Sequence, residues 1–211
     1  MTLPSPTDAG NGRVTMISAI LLAAGESRRM GEFKQLLMFA DKTFVECCVD
    51  HLLASRVDEL IVVTGHREAD VRRALGERAV RFVHNDDYRD GMSSSVKRGI
   101  AAVSPAATAA LVALVDQPQI DSSIINRVIA EYEKHPSLIV IPTYHGRNGH
   151  PVLIDLQLRD QLLAFDASQG LRQVIHAHAA EVLHIEVATD AVLTDFDYPE
   201  DYQRVALQEK S

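Results

Sequence analysis

From Ile17 onward the chain alternates two kinds of segment. Short runs of Val, Ile, Leu and Ala are followed by longer stretches whose apolar residues recur at helical spacing, which is the rhythm of βα units in a mainly parallel sheet. The runs "ISAILLA", "ELIVVTG", "VRFVHN", "AALVALVD" and "LIVIPTY", and later "PVLI", "VLHIEV" and "AVLTDFD", are the expected strands. Near-continuous apolar character, in place of strict alternation, belongs to strands covered by helices on both faces. Helices are expected at about Phe44–Ser55, Glu68–Leu75, Ser93–Val103, Asp121–Lys134, Gln169–Ala177 and Pro199–Gln208. Pro199 suits a first helical turn, where its missing N–H costs nothing. The pattern predicts a doubly wound, mostly parallel α/β sheet in a single domain over residues 16–211, with no internal repeat or interdomain linker. Residues 1–15, "MTLPSPTDAGNGRVT", have little apolar content and read as a flexible leader.

One stretch breaks the rhythm. "YHGRNGHPVL", Tyr144 to Leu153, has two glycines, an asparagine, two histidines and a proline between strands, so a loop or hairpin is expected there. In open α/β sheets ligands sit beyond the carboxyl ends of the strands. Gly25, Gly65, Asn85 and Asp116 all follow strands directly.

Composition narrows the classes of function. A formal charge of −8 over 211 residues argues against a non-specific nucleic-acid or anionic-membrane binder. Any bound anion must therefore meet a local basic cluster. The two cysteines, Cys47 and Cys48, are adjacent in an expected helix, which leaves neither a disulfide framework nor a metal-binding spacing and suits a reducing, cytoplasmic setting. "VTMISAILLAAG" loosely resembles a secretory signal, but the apolar run is too short to span a bilayer and a charged, motif-like stretch follows it. A buried strand is the expected reading.

That stretch is "LLAAGESRRMGEFKQLL". A strand running into Ala23-Ala24-Gly25 offers backbone N–H groups with little side-chain bulk, a concavity suited to phosphate oxygens, and Arg29 and Lys34 follow closely. A plain tight turn is the alternative for the glycine alone. Neither the Walker nor the dinucleotide fingerprint is present. Asp116 ends an apolar strand, where it either caps the next helix or holds a metal. Asp195 and Asp197 in "LTDFDYPEDY" fall on one face of an expected strand end. Gly91 and the serines of "DGMSSSVKRGI" precede an apolar helical stretch, so Ser93 and its neighbours are ordinary helix caps or ligand contacts. His150 lacks a second histidine at ligand spacing, and no Ser-His-Asp arrangement or zinc site stands out.

"LAAGESRRMGEFKQLL" resembles the L-A-A-G-x-S-x-R-M-G-x-x-K-x-L-L opening of nucleotidyltransferases, in particular the molybdopterin cytidylyl- and guanylyltransferase group. "NDDYRDGMSSSVKRGI", "LVDQPQI", "GRNGHPVL" and "DFDYPEDY" follow in the family's order, so the resemblance runs from Ile17 to about Leu207. It implies a Rossmann-like nucleotidyltransferase fold and transfer of a nucleotidyl group to the terminal phosphate of molybdopterin, with release of pyrophosphate. It implies Mg²⁺ on Asp116 and on Asp195 or Asp197, and leaving-group charge met by Arg29 and Lys34. The nucleotide would contact Leu22, Ala23, Ala24, Gly25, Gly91 and Ser95. Gly149, His150 and Pro151 would border the acceptor, and Arg172 in "DASQGLR" would meet its phosphate or simply face solvent. Tyr198 replaces the threonine usual in the family's D-x-D-T-P-E-D. The guanylyl-transferring relatives usually open L-A-G-G, so Ala23-Ala24-Gly25 favours CTP. Implied partners are the nucleoside triphosphate, the molybdopterin-type acceptor and a recipient molybdoenzyme or its chaperone, with no nucleic acid or membrane. The rivals are a sugar- or polyol-phosphate nucleotidyltransferase, a GTP-using guanylyltransferase, and a non-catalytic cofactor carrier.

Overall fold

The structure, a computed structural model, describes residues 15–135 and 137–208, and side chains up to residue 203 in the last helix. The expected leader, apart from Thr15, lies outside the described residues. The chain order is β1 (Ile17–Leu22), β2 (Met38–Phe39), β3 (Lys42–Thr43), α1 (Phe44–Leu53), β4 (Glu59–Thr64), α2 (Glu68–Leu75), β5 (Arg81–His84), α3 (Met92–Ala102) and β6 (Ala109–Leu114). It continues through α4 (Ser122–Lys134), β7 (Ile139–Tyr144), β8 (Arg147–Asn148), β9 (Val152–Asp155), α5 (Arg159–Ala164), α6 (Arg172–Ala177), β10 (Val182–Glu186) and α7 (Pro199–Gln208).

One eight-stranded sheet has the order β10-β7-β9-β6-β1-β4-β5, with β8 paired to β7. β1 lies parallel between β4 and β6, so that Ile20 faces Ile61 on one side and Val112 on the other. β9 enters antiparallel between β6 and β7, and β8 is the antiparallel arm of a hairpin from β7. The rest of the sheet is parallel, and its apolar residues feed two cores. Ala19 and Leu21 pack with α1, α2 and α4 on one face, while Ile20 and Leu22 pack with α3, α5 and α6 on the other. Both faces are therefore covered, the physical reason the strands read as unbroken apolar runs. Truncating a fully buried residue such as Ile20 to Ala should cost about 2–5 kcal/mol.

Local chemistry places the helix starts. Thr43 and Glu46 form a reciprocal capping box on α1, with Thr43 N donating to Glu46 Oε2 at 2.9 Å. The Asp121 carboxylate accepts from the N–H groups of Ser123 and Ile124 to start α4. Asp121 is thus its own helix's cap, and Asp116 is left without that structural duty.

Two expectations need correction, and one helix is new. "AVLTDFD" is not a strand: Asp190–Leu193 is a 3-10 turn, with Thr189 accepting from Ala191 N–H. The Gln119 amide donates to the carbonyls of Ala191 and Thr194, at 2.9 and 2.7 Å, so a side chain meets backbone groups that a neighbouring strand would otherwise pair. The helix expected from Gln169 begins only at Arg172, because Gly170 sits at φ +65° in a left-handed turn that ends at the first helical residues. Helix α5 was not anticipated, since six residues give too short a period to read.

Candidate active site

The carboxyl ends of β1, β4, β5 and β6 open at one edge of the sheet, and Ala24-Gly25, Gly65, Asn85 and Asp116 meet there as their strand positions require. Asn85 is 1% exposed and donates to the hydroxyls of Ser94 and Ser95, at 2.9 and 3.0 Å. Ser93 donates to the Ala167 carbonyl at 2.8 Å. Helix α3 has no side-chain cap, so the capping alternative for these serines does not hold.

Lys34 reaches back over this edge. Its Nζ donates to Asp116 Oδ2 at 2.6 Å and to Asp197 Oδ1 at 3.0 Å, while the Arg29 guanidinium pairs with Asp197 Oδ2 at 2.8 Å. The setting differs along the cluster: the Lys34 and Asp116 side chains are 13% and 14% exposed, and that of Arg29, beside the Tyr198 ring, is 63% exposed. Burial pulls the Lys34 ammonium down, but Asp116 and Asp197 more than offset it and hold its pKa above the ordinary value, so it is charged. Removing Lys34 would leave the enclosed Asp116 carboxylate without its cation, at a cost of about 3–5 kcal/mol.

Asp195 and Asp197 diverge from one another. Phe196 between them is buried against Phe39 and Phe44, and its N–H donates to the Asp116 carbonyl at 3.0 Å. Asp195 turns to Gln117, whose Nε2 donates to its Oδ1 at 2.7 Å. Burial, then the neighbouring Asp116 carboxylate, raises the Asp195 pKa against the Gln117 hydrogen bond. The alternation of a strand does not apply to this segment.

Two cavities adjoin the cluster. A smaller one, about 210 Å³, is lined by Leu22, Ala24, Gly25, Lys34, Ser95 and Asp116, with Gly91 and Tyr88 at its side. A larger one, about 570 Å³, is lined by Gly149, His150, Arg172 and Asp195 over an apolar floor that includes Ile141 and Val152. Met92 and Leu114 line both, so the cavities are neighbours. Ala23 faces the opposite core, with Val45 and Val49. Pro151 lines a separate crevice of about 10 Å³ with Cys48 and Leu52, away from the larger cavity. Gly149 packs so closely on Val192 that a Cβ would strike that residue's carbonyl, and His150 N donates to the same oxygen at 3.0 Å. Burial lowers the His150 pKa, with Asp116 opposing, so its imidazole is neutral at pH 7. Gln117 and Met92 have no place in the sequence expectations. Gln117 follows the motif aspartate and carried a signal; Met92 carried none.

Among the described residues no three His, Cys, Asp or Glu side chains form a ready-made metal site. Asp116 Oδ1 is nevertheless buried without a hydrogen-bond partner. One or two carboxylates with substrate phosphates are enough for a hard cation such as Mg²⁺, so the donor set fits one.

Residues 19–182 match the family described as the MobA-like NTP transferase domain. Molybdenum cofactor cytidylyltransferase of Escherichia coli strain K12 is 24% identical over 190 residues, 90% of this chain and 95% of its own length. Nicotine blue oxidoreductase of Paenarthrobacter nicotinovorans is 32% identical over 158 residues, 71% of this chain and 76% of that protein. The crystal structure of Rv0371c from Mycobacterium tuberculosis H37Rv superposes with a TM-score of 0.82 at 28% identity, covering 90% of this chain and 97% of that one. Rv0371c in complex with manganese gives 0.75 at 26% identity, covering 90% and 98%.

Proposed function

Because the chain belongs to the MobA-like NTP transferase domain family, we propose that it moves CMP from CTP to the terminal phosphate of a molybdopterin-type acceptor and releases pyrophosphate. The observation that carries this reading is the Lys34–Asp116–Asp197 cluster, whose Lys34 and Asp116 line the smaller of two adjoining cavities while Asp195 lines the larger. Family membership does not choose the chemistry, since a 32% identical relative carries the name of an oxidoreductase. A cluster of cations and carboxylates beside a small-residue loop supports nucleotidyl transfer.

In this reading CTP occupies the smaller cavity, where Leu22, Ala24 and Gly25 let a base and phosphates approach closely and Gly91 and Ser95 complete the wall. Lys34 and Arg29 exchange carboxylate partners for phosphate oxygens and meet the charge that develops on departing pyrophosphate. The acceptor takes the larger cavity, beside Gly149 and His150, with Arg172 on its phosphate. A phosphate monoester is already largely dianionic near neutral pH, so the nucleophile needs no general base, and the neutral, partly buried His150 shapes the cavity wall. Positioning and charge neutralisation then account for the rate. The site residues suited to hold Mg²⁺ are Asp116 with the Asp195–Asp197 segment, and when bound the ion supplies neutralisation of the phosphates.

Ala24 lines the smaller cavity, and a methyl there in place of glycine supports a pyrimidine over a purine. One methyl is worth about 1–3 kcal/mol of discrimination, so other contacts share the choice. Mass spectrometry after incubation with Mg²⁺, CTP and molybdopterin tests the reading: a cytidylylated acceptor is expected, and recovery of unmodified molybdopterin alone would support a carrier.

A further inference from the structure

Gln35 lies one residue past Lys34, at a variable position of the motif, and is 0% exposed. A buried glutamine is costly unless its donors and acceptor are met. All are met here by one loop. Its Nε2 donates to the carbonyls of Ala23 at 3.1 Å and Gly25 at 2.9 Å, and its Oε1 accepts from the Ser27 hydroxyl at 3.1 Å. The Ser27 Oγ in turn accepts from Lys34 N–H at 3.1 Å, which helps hold Ser27 at φ +57°. A closed chain of hydrogen bonds thus runs from the Lys34 backbone through Ser27 and Gln35 to both ends of Ala23-Ala24-Gly25.

We propose that Gln35 is the positioning residue of the nucleotide loop: by holding two carbonyls it turns the loop's N–H groups outward for an anionic ligand. The peptides of this loop are trans, and a planar trans peptide sets each N–H opposite the preceding carbonyl. With Ala23 O and Gly25 O fixed on Gln35, the N–H groups of Ala24 and Glu26 point away from it. Among the described residues neither N–H meets an acceptor. Without the amide, each carbonyl is free to rotate toward the smaller cavity, where its negative end would repel phosphate. The same chain fixes the start of the Lys34 segment, so loop and ammonium keep one spacing. Gln35 also lies in the wall of the smaller cavity, with its amide engaged by the loop.

The inference rests on the nucleotide reading of the smaller cavity, and direct binding separates the two. Calorimetry with CTP, GTP and ATP on the wild-type protein should show one tight nucleotide; no binding of any would overturn that reading rather than the role of Gln35. For the nucleotide that binds, Gln35→Met should raise Kd by about tenfold or more, since two hydrogen-bond donors are lost. Gln35→Glu should raise it further, because a carboxylate would face two carbonyls. In steady state the nucleotide KM should rise with Kd while the acceptor KM stays within about twofold, a split that general loosening of the fold would not produce. Wild-type nucleotide affinity in folded Gln35→Met would overturn the proposal. Should that variant not fold, Ser27→Ala decides: a threefold to tenfold weakening (about one hydrogen bond) is expected, and an unchanged Kd overturns it.

Discussion

On the side of the smaller cavity the cations already have partners: Lys34 is shared by Asp116 and Asp197, and Arg29 rests on Asp197. Along the larger cavity Arg172 is exposed and has no ion-pair partner among the described residues. The first arrangement holds positive charge against carboxylates, from which, on the proposed reading, phosphate would take it. The second waits for a ligand to supply its counter-charge. The contrast teaches that one half of the site is assembled by the fold, whereas on the proposed reading the other would acquire its counter-charge from the acceptor.

The largest effect expected from this contrast is at Asp116. Asp116→Asn should lower turnover by about 10³, at the upper end of what one electrostatic group contributes, and should shift the Mg²⁺ titration of rate to higher metal. An unchanged metal profile would move the cation elsewhere. Lys34→Ala comes next, at about 10² in turnover, while Arg29→Ala should cost only about fivefold, because its pair is exposed and screened. Equal losses in the two would break the distinction between enclosed and exposed cations. Smaller again, Arg172→Ala should raise the acceptor KM about tenfold, the size of one charge-assisted hydrogen bond, and leave the nucleotide KM as it was. A matching rise in both would mean that the two cavities do not act separately.

The smallest effect is on stability. Burial lowers the His150 pKa below that of the unfolded chain, so the stability linked to its neutral form is fully present above about pH 6.5 and is lost as pH falls through the folded value. Comparing urea midpoints near pH 7.5 and pH 5, wild type should lose more on acidification than His150→Gln. A parallel decline in both would remove His150 from the account.

Much of the scaffold was legible because its signals are local. The apolar runs that became β1, β4 and β6 are too rich in Val, Ile and Leu to suit anything but strands buried on both faces, and "LAAGESRRMGEFK" announced its loop by composition. What could not be read depends on distant partners. The segment holding Asp195 and Asp197 looks like a strand, but Gln117 and Gln119 from the β6 loop bind its polar groups instead. Gln35 shows the same limit: nothing in "FKQLL" says that its amide will reach Ala23 and Gly25, because that contact exists only once the loop has folded back. The resemblance places Gly149, His150 and Pro151 together at the acceptor, yet Gly149 and His150 line the larger cavity while Pro151 lines the small crevice beside Cys48.

The central claim is nucleotidyl transfer across the border of the two cavities. Pyrophosphate release, followed with CTP, GTP or ATP and with or without molybdopterin, tests it most directly. The account predicts release that requires molybdopterin and is fastest with CTP. No release with any of the three nucleotides, or release that ignores the acceptor, would contradict it.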